Sequence, residues 1–364
     1  MFPELSLWLK VLLSIAAAAV IAFGATPIVK TFATKVGAID VPDSARRVHD
    51  HPIPRMGGMA IFLGFIISVL LFAEISTQVQ GILIGAVIIV ATGVVDDIIQ
   101  MKWYFKLGAE VLAAIIAIAH GVVIQGLMNP NVFSPHETLV TIGIVSVPIT
   151  MIWIVGITNA VNLIDGLDGL ACGVSAISSV TMLVVALMVS EPNVALILAA
   201  LVGGCIGFIP YNLNPAKIFM GDTGALLLGY VLATVSILGL FKFYAVITFL
   251  VPVLALALPL FDTLFAIIRR LLRGQNPMTP DRGHLHHRLI DHGLSQKQAV
   301  AVLYSLSAML GLTAVVICTT GKLRMLLLIV DLVIAAAVGV FVYETIEHPA
   351  KPRPPEQAQE ENKS

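Results

Sequence analysis

The sequence predicts an all-α, polytopic integral membrane protein with about eleven transmembrane helices. Two bulk observations and one pattern carry this. Hydrophobic residues make up 58% of the 364 residues and charged residues only 12%, and mean hydropathy is +0.97. Apolar runs of roughly 17–25 residues, each enough to span about 30 Å of hydrocarbon as a helix, recur along the whole length. A soluble chain of this size would need far more polar surface.

The eleven runs lie near residues 6–27, 57–73, 79–97, 105–123, 139–157, 170–190, 194–211, 223–241, 245–268, 298–318 and 323–343. The first lacks the basic start of a signal peptide and is followed by a polytopic pattern, so it is read as a retained helix. Gly57-Gly58 opens the second run and Gly203-Gly204 lies in the seventh, which suits close helix packing. Pro210, Pro252 and Pro259 are expected to kink or end helices near the inner face. Cys172, Cys205 and Cys318 all fall in predicted helices with no metal-ligand spacing, and read as small apolar packing residues. Residues 1–346 form one membrane domain. The tail from Glu347 onward, rich in Pro, Glu, Gln and Lys, is expected to be disordered.

Lys and Arg set the orientation. Threading eleven helices from an external N-terminus leaves Lys10, Lys242, Lys322 and Arg324 outside and the other 17 of the 21 basic residues inside. That bias places the C-terminus in the cytoplasm. The outside loops are short apart from one near 124–138, which contains Asn129, Pro130 and Pro135. The longer polar segments, 28–56, 158–169, 212–222 and 269–297, fall on the cytoplasmic side.

The same threading puts five aspartates on that inner face, where carboxylates beside lipid are expensive and call for a purpose. Val94-Val95-Asp96-Asp97 ends the third run. Adjacent carboxylates repel unless a cation, proton or Lys intervenes. Lys106 starts the next run and could return to the pair across a helical hairpin; a hydrated cap with Lys106 snorkelling is the plainer reading.

The segment Asn159-Ala160-Val161-Asn162-Leu163-Ile164-Asp165-Gly166-Leu167-Asp168-Gly169 repeats Asn and Asp, with a glycine after each aspartate. Those glycines permit tight turns and close backbone approach to a ligand, and the following helix start favours anions. Capping of that helix explains one aspartate but not the set. Phe219-Met220-Gly221-Asp222-Thr223-Gly224 opens the eighth run, either as a helix cap or as a site. Asp281-Arg282-Gly283-His284-Leu285-His286-His287-Arg288 lies in the large inner loop. Its histidines and arginines suit phosphate oxygens; no Cys or helical His-x-x-x-His accompanies it to suggest zinc. Asp262, within the ninth run about two turns before Arg269, is open between a functional and a packed hydrogen-bonded role. Glu110 and Asp331, also within runs, read as structural.

Taken together and in this order, these motifs resemble the polyprenyl-phosphate N-acetylhexosamine-1-phosphate transferases, over roughly residues 28–295. Arg47-Val48-His49-Asp50-His51-Pro52-Ile53-Pro54-Arg55-Met56-Gly57-Gly58 and His284-Leu285-His286-His287-Arg288 look like the bacterial GlcNAc-1-phosphate branch. The phospho-MurNAc-pentapeptide translocases usually carry Thr-Pro-Thr-Met-Gly-Gly and three consecutive histidines, and this chain departs from both. The resemblance implies UDP-GlcNAc and undecaprenyl phosphate as substrates, and UMP and undecaprenyl-diphosphate-GlcNAc as products. It further implies an early step of a polymer such as teichoic acid or O-antigen, a bacterial plasma-membrane location with the site facing the cytoplasm, a homodimer, and no nucleic-acid partner.

By the same resemblance, Mg²⁺ is the cofactor, with Mn²⁺ as a substitute, and Asp222 is its ligand, aided by Asn162. Asp96, Asp97, Asp165, Asp168 and His284 form the catalytic set. Lys106, Asn159, Asn162, Arg282, His286 and His287 bind substrate. Asp96 or Asp97 as a base for the lipid phosphate is worth little: the second phosphate pKa is about 6, so removing that proton at neutral pH accounts for only about 1.4 kcal/mol. Rival readings are another hexosamine-1-phosphate substrate and a secondary transporter, although transporter sites tend to lie near the bilayer midplane.

Overall fold

The computed structural model describes residues 5–41, 52–128, 139–141, 143–239, 246–272, 274 and 284–347. The helices among them are α1 (Leu7–Val36), α2 (Gly58–Phe72), α3 (Thr77–Ile99), α4 (Trp103–Ala119), α5 (Ser146–Leu163), α6 (Leu170–Met188), α7 (Pro192–Asn212), α8 (Gly221–Gly239), α9 (Val246–Ala255), α10 (Ala257–Leu272), α11 (Leu285–Asp291), α12 (Gln296–Cys318) and α13 (Gly321–Glu347). Two short antiparallel ribbons qualify the all-α expectation: β1 (Ile39–Asp40) pairs with β2 (Ile53–Pro54), and β3 (Gly126–Met128) with β4 (Leu139–Thr141). With two or three residues to a strand, no alternation could announce them.

A helix stands at each of the eleven apolar runs, but the expected lengths are not uniformly met. Eight described helical segments are long and apolar enough to cross a membrane, and α2 is a shorter apolar helix. The ninth run is divided between α9 and α10. Pro259 has no N–H to give the carbonyl of Ala255, and its ring crowds that carbonyl. Ser178 Oγ on α6 donates to the orphaned Ala255 oxygen at 2.5 Å. At Pro210, by contrast, α7 continues to Asn212. The first helix is also longer than its run: it continues to Val36 and stops where Gly37 adopts φ 78° and its N–H closes on Ala33 and Thr34.

Water is absent from the interior of such a bundle's surroundings, so packing rests on close backbone approach and internal hydrogen bonds. A Cβ at Gly203 would lie 2.3 Å from the carbonyl oxygen of Ile15, so α7 meets α1 at a distance only glycine allows. Ser14 and Ser68 share a 2.8 Å hydrogen bond that ties α1 to α2. Trp153 Nε1 donates to Ser236 Oγ at 3.1 Å between α5 and α8. Helix α8 is central, with every residue from Thr223 to Gly239 buried. At the periphery α13 packs beside α12 and turns Leu326, Leu332 and Val333 outward, as a lipid-facing helix does. Cys172 and Cys205 are buried and Cys318 half-buried, all as free thiols.

Candidate active site

The site is assembled at one end of the bundle, beginning at the N-terminus of α8. Three short backbone hydrogen bonds lay the segment after β2 along the chain before α8: Phe219 N–H to Pro54 O, Gly57 N–H to Phe219 O and Gly58 N–H to Met220 O, all 2.8–2.9 Å. The approach is so close that a Cβ on Gly58 would fall 2.1 Å from Gly224 N. Met56, buried, takes a left-handed φ of 78° at this junction, a conformation that costs energy for a non-glycine residue and tends to mark functional sites. Through this junction Arg55 comes to the cavity, in an ion pair with Asp40.

The two aspartates ending α3 do different work. Asp97 is buried and caps α8. Its Oδ1 accepts the Asp222 N–H at 3.0 Å, and its Oδ2 accepts the Thr223 N–H at 3.2 Å and the Thr223 hydroxyl at 2.6 Å. Asp96 accepts the Met101 N–H at 2.7 Å across the turn into α4. Lys106, on the first turn of α4, reaches back to Asp96 Oδ2 at 3.2 Å and forward to Asp222 Oδ2 at 2.7 Å. The ammonium therefore bridges two neighbouring carboxylates and offsets their mutual repulsion.

The loop between α5 and α6 closes the opposite side. Asn162 shares the wall of the cavity with Asp222. Asp165 has a partly accessible surface, but the space it faces is walled by protein, so burial governs its ionisation. Burial, reinforced by the charges of Asp222, Asp97 and Asp168 and opposed by Arg55, pushes its carboxyl up to about 8. Asp168 organises the neighbouring loop: its Oδ2 accepts from Asn214 Nδ2 at 2.9 Å and from Ala216 N–H at 3.0 Å. Asn159 stands apart, one turn deeper in α5, bonded to Glu110 of α4.

The histidine motif packs against this loop. A Cβ on Gly166 would lie 2.3 Å from His286 Nε2, so Gly166 is where α11 meets the Asn/Asp segment. His286 is buried; burial, followed by the charge of His287, lowers it to about 4, so it is neutral near pH 7. His284 is also buried. Arg282 lies outside the described residues.

These elements surround a cavity of about 370 Å³ lined by Asp40, Arg55, Asp97, Asn162, Asp165, Asp168, Asp222, His287 and Gln296, among others. Asp96, Lys106 and His286 support its wall, while Asn159 and His284 sit behind it. No individual role for Asp40, Arg55, Thr223 or Gln296 follows from the chain read alone. Position just ahead of Gly57-Gly58 was the one available signal for Arg55; the others depend on contacts between distant segments.

No trio of His, Cys, Asp or Glu among the described residues forms a ready metal cage. Mg²⁺ does not require one, since it binds through one or two carboxylates plus substrate phosphates. Asp222 with Asn162 fits that donor set. A hard cation would also offset the charge where anionic phosphates approach the five aspartates of the lining.

Residues 79–240 match the model of glycosyl transferase family 4, a stretch holding the Asp96-Asp97, Asn/Asp and Asp222 motifs. A Bacillus subtilis protein described as a probable undecaprenyl-phosphate N-acetylglucosaminyl 1-phosphate transferase is 39% identical, over 80% of each chain. A decaprenyl-phosphate N-acetylglucosaminephosphotransferase of Mycolicibacterium smegmatis is 32% identical over 79% of this chain and 77% of its own. An undecaprenyl-phosphate alpha-N-acetylglucosaminyl 1-phosphate transferase of Thermotoga maritima is 31% identical over 81% and 87%.

Proposed function

This chain belongs to glycosyl transferase family 4, and from that premise we propose that it transfers GlcNAc-1-phosphate from UDP-GlcNAc to undecaprenyl phosphate. A lipid-phosphate oxygen attacks the β-phosphorus, the bond from that phosphorus to the bridging oxygen breaks, and UMP leaves. The observation that carries the reading is convergence. Three motifs far apart in sequence meet at one cavity, with Arg55, Lys106 and His287 beside the carboxylates. The activities of the relatives support the substrate class.

Phosphoryl transfer needs alignment and charge neutralisation more than covalent chemistry. Arg55 offers a planar fork for diphosphate oxygens. Lys106 holds Asp222 in place and supplies positive charge. Asp97, with its oxygens engaged by Thr223 and backbone N–H groups, fixes the start of α8 and so the position of Asp222. Asp222 and Asn162 would hold Mg²⁺, or Mn²⁺ in its place; when bound, the ion neutralises phosphate charge and polarises the phosphorus centre. An apolar cavity of about 290 Å³ between α10, α11 and α12, with Arg288 on its wall, supports a lipid phosphate that keeps its chain in the membrane.

The reading extends to eleven crossings of a bacterial plasma membrane, a cytoplasmic site, a homodimer, and a product that starts a cell-envelope polymer. The test is UMP release by purified protein reconstituted with undecaprenyl phosphate, Mg²⁺ and a panel of UDP-sugars. UDP-GlcNAc is expected to be turned over and UDP-MurNAc-pentapeptide not. Preference for the latter, or substrate flux into vesicles without UMP release, would overturn the assignment.

A further inference from the structure

Asp262 is a carboxylate with a buried side chain in the apolar helix α10, outside the acidic cavity and on the wall of the apolar cavity between α10, α11 and α12. Its Oδ2 lies 2.8 Å from His284 Nδ1, and its Oδ1 accepts the Leu285 N–H at 2.8 Å. The side chains of both partners are almost wholly covered, at 7% exposure for His284 and 6% for Asp262. One membrane-helix carboxylate thus holds both the first ring of the histidine motif and the first N–H of α11. An ionised carboxylate only accepts hydrogen bonds, so this contact requires a proton on His284 Nδ1, whether the ring is neutral or charged.

The contact propagates. The His284 ring lies parallel to that of His286, at 9° with centroids 5.8 Å apart. His286 in turn abuts Gly166 of the Asn/Asp loop, and His287 beside it lines the cavity. The His284 side chain, at the N-cap of α11, makes no capping bond itself, and among the described residues the Leu285 N–H is met by Asp262 Oδ1. Loss of the Asp262 acceptors would therefore free the ring and the helix start together.

We propose that Asp262 is a positioning residue for the proposed transfer, fixing the Nδ1–H form of His284 and through it the placement of His286 and His287 against the Asn/Asp loop. The chemistry parallels carboxylates that hold a working histidine in one tautomer and orientation. The kinetic part rests on the function proposed above; the tautomer does not.

The decisive variant is Asp262→Asn. It keeps the shape and one acceptor oxygen for the Leu285 N–H, but turns a donor NH₂ toward Nδ1, which favours the Nε2–H form. Nitrogen-15 spectra of histidine-labelled protein in liposomes read this directly. The Nδ1–H signal of His284, identified by its absence in His284→Gln, is expected to shift in Asp262→Asn. In UMP release kcat should fall by about 10–100-fold, the range for losing a carboxylate that orients a metal-bound histidine, with a wild-type unfolding midpoint. In a His284→Gln background the same substitution should add less than about 2-fold. A His284 signal unchanged in Asp262→Asn overturns the proposal, as does a full, multiplicative kinetic loss in the double variant. A variant that fails to fold is replaced by Asp262→Glu, which retains acceptor chemistry and should keep the Nδ1–H signal; its loss there also overturns the proposal. Wild-type protein inactive on UDP-GlcNAc would refute the assigned reaction while leaving the spectroscopic result to decide on Asp262.

Discussion

Replacing Lys106 with methionine removes the cation that bridges Asp96 and Asp222 while keeping most of the aliphatic stem. The contacts of 3.2 and 2.7 Å correspond to gross attractions of ~5 and ~6 kcal/mol at an effective dielectric of about 20. Desolvation and partial solvent access to the Lys106 side chain, 27% exposed, offset much of this. The expected net loss is about 3 kcal/mol, the low end for breaking a buried pair, because two carboxylates are left facing each other. A divalent cation would restore what the ammonium supplied. Lys106→Met should therefore unfold at a lower temperature than wild type in EDTA, regain most of the difference in Mg²⁺, and still transfer slowly because the positive charge near the phosphates is gone. The assay is thermal unfolding in detergent across a Mg²⁺ titration, paired with UMP release. An EDTA midpoint equal to wild type, or a Mg²⁺ shift no larger than the wild-type shift, would refute the reasoning.

Asp97→Asn should destabilise the start of α8 by about 2–3 kcal/mol, since the amide nitrogen faces donors from Thr223 or Asp222 in place of a charged acceptor; if its unfolding midpoint stays at the wild-type value, the capping role is wrong. Asp222→Asn should shift the Mg²⁺ dependence strongly, to higher cation concentration, and an unchanged metal titration would remove Asp222 from the cation's ligands. Gly166→Ala forces His286 to move, because the new methyl would sit 2.3 Å from its Nε2; transfer should drop at least about 10-fold, and pairing it with His286→Ala should recover part of the loss. Asp165, held near 8, is protonated at neutral pH, so binding a divalent cation should expel a proton. Cation affinity is then expected to rise with pH until about 8 and level off above it, with calorimetric proton release in buffers of different ionisation enthalpy; pH-independent affinity would contradict the assignment.

Much of the site was legible in the chain because each motif abuts an apolar run. A carboxylate at the end of a membrane helix, as at Asp96-Asp97 or Asp222, announces itself by its cost. Lys106 was legible as well, since a hairpin returns it over a short turn to Asp96. Its second contact, to Asp222 116 positions away, was not. Nor was the division of labour between neighbours: Asp96 and Asp97 are alike in sequence, yet one faces a lysine and the other caps a helix. Asp262 could be read either way from its surroundings, and only the arrival of α11 beside α10 gives its carboxylate partners.

Hydropathy is a local and additive property, so the sequence by itself determined a helical membrane protein, the places where helices occur, and the short acidic, glycine-bearing segments that interrupt them. Tertiary structure alone decided where the ninth run breaks, which glycines let backbones touch, and which aspartate faces which cation. Those outcomes depend on contacts between segments tens to hundreds of residues apart, and a hydrogen bond's direction is set by the final packing of both partners rather than by either one's neighbours along the chain.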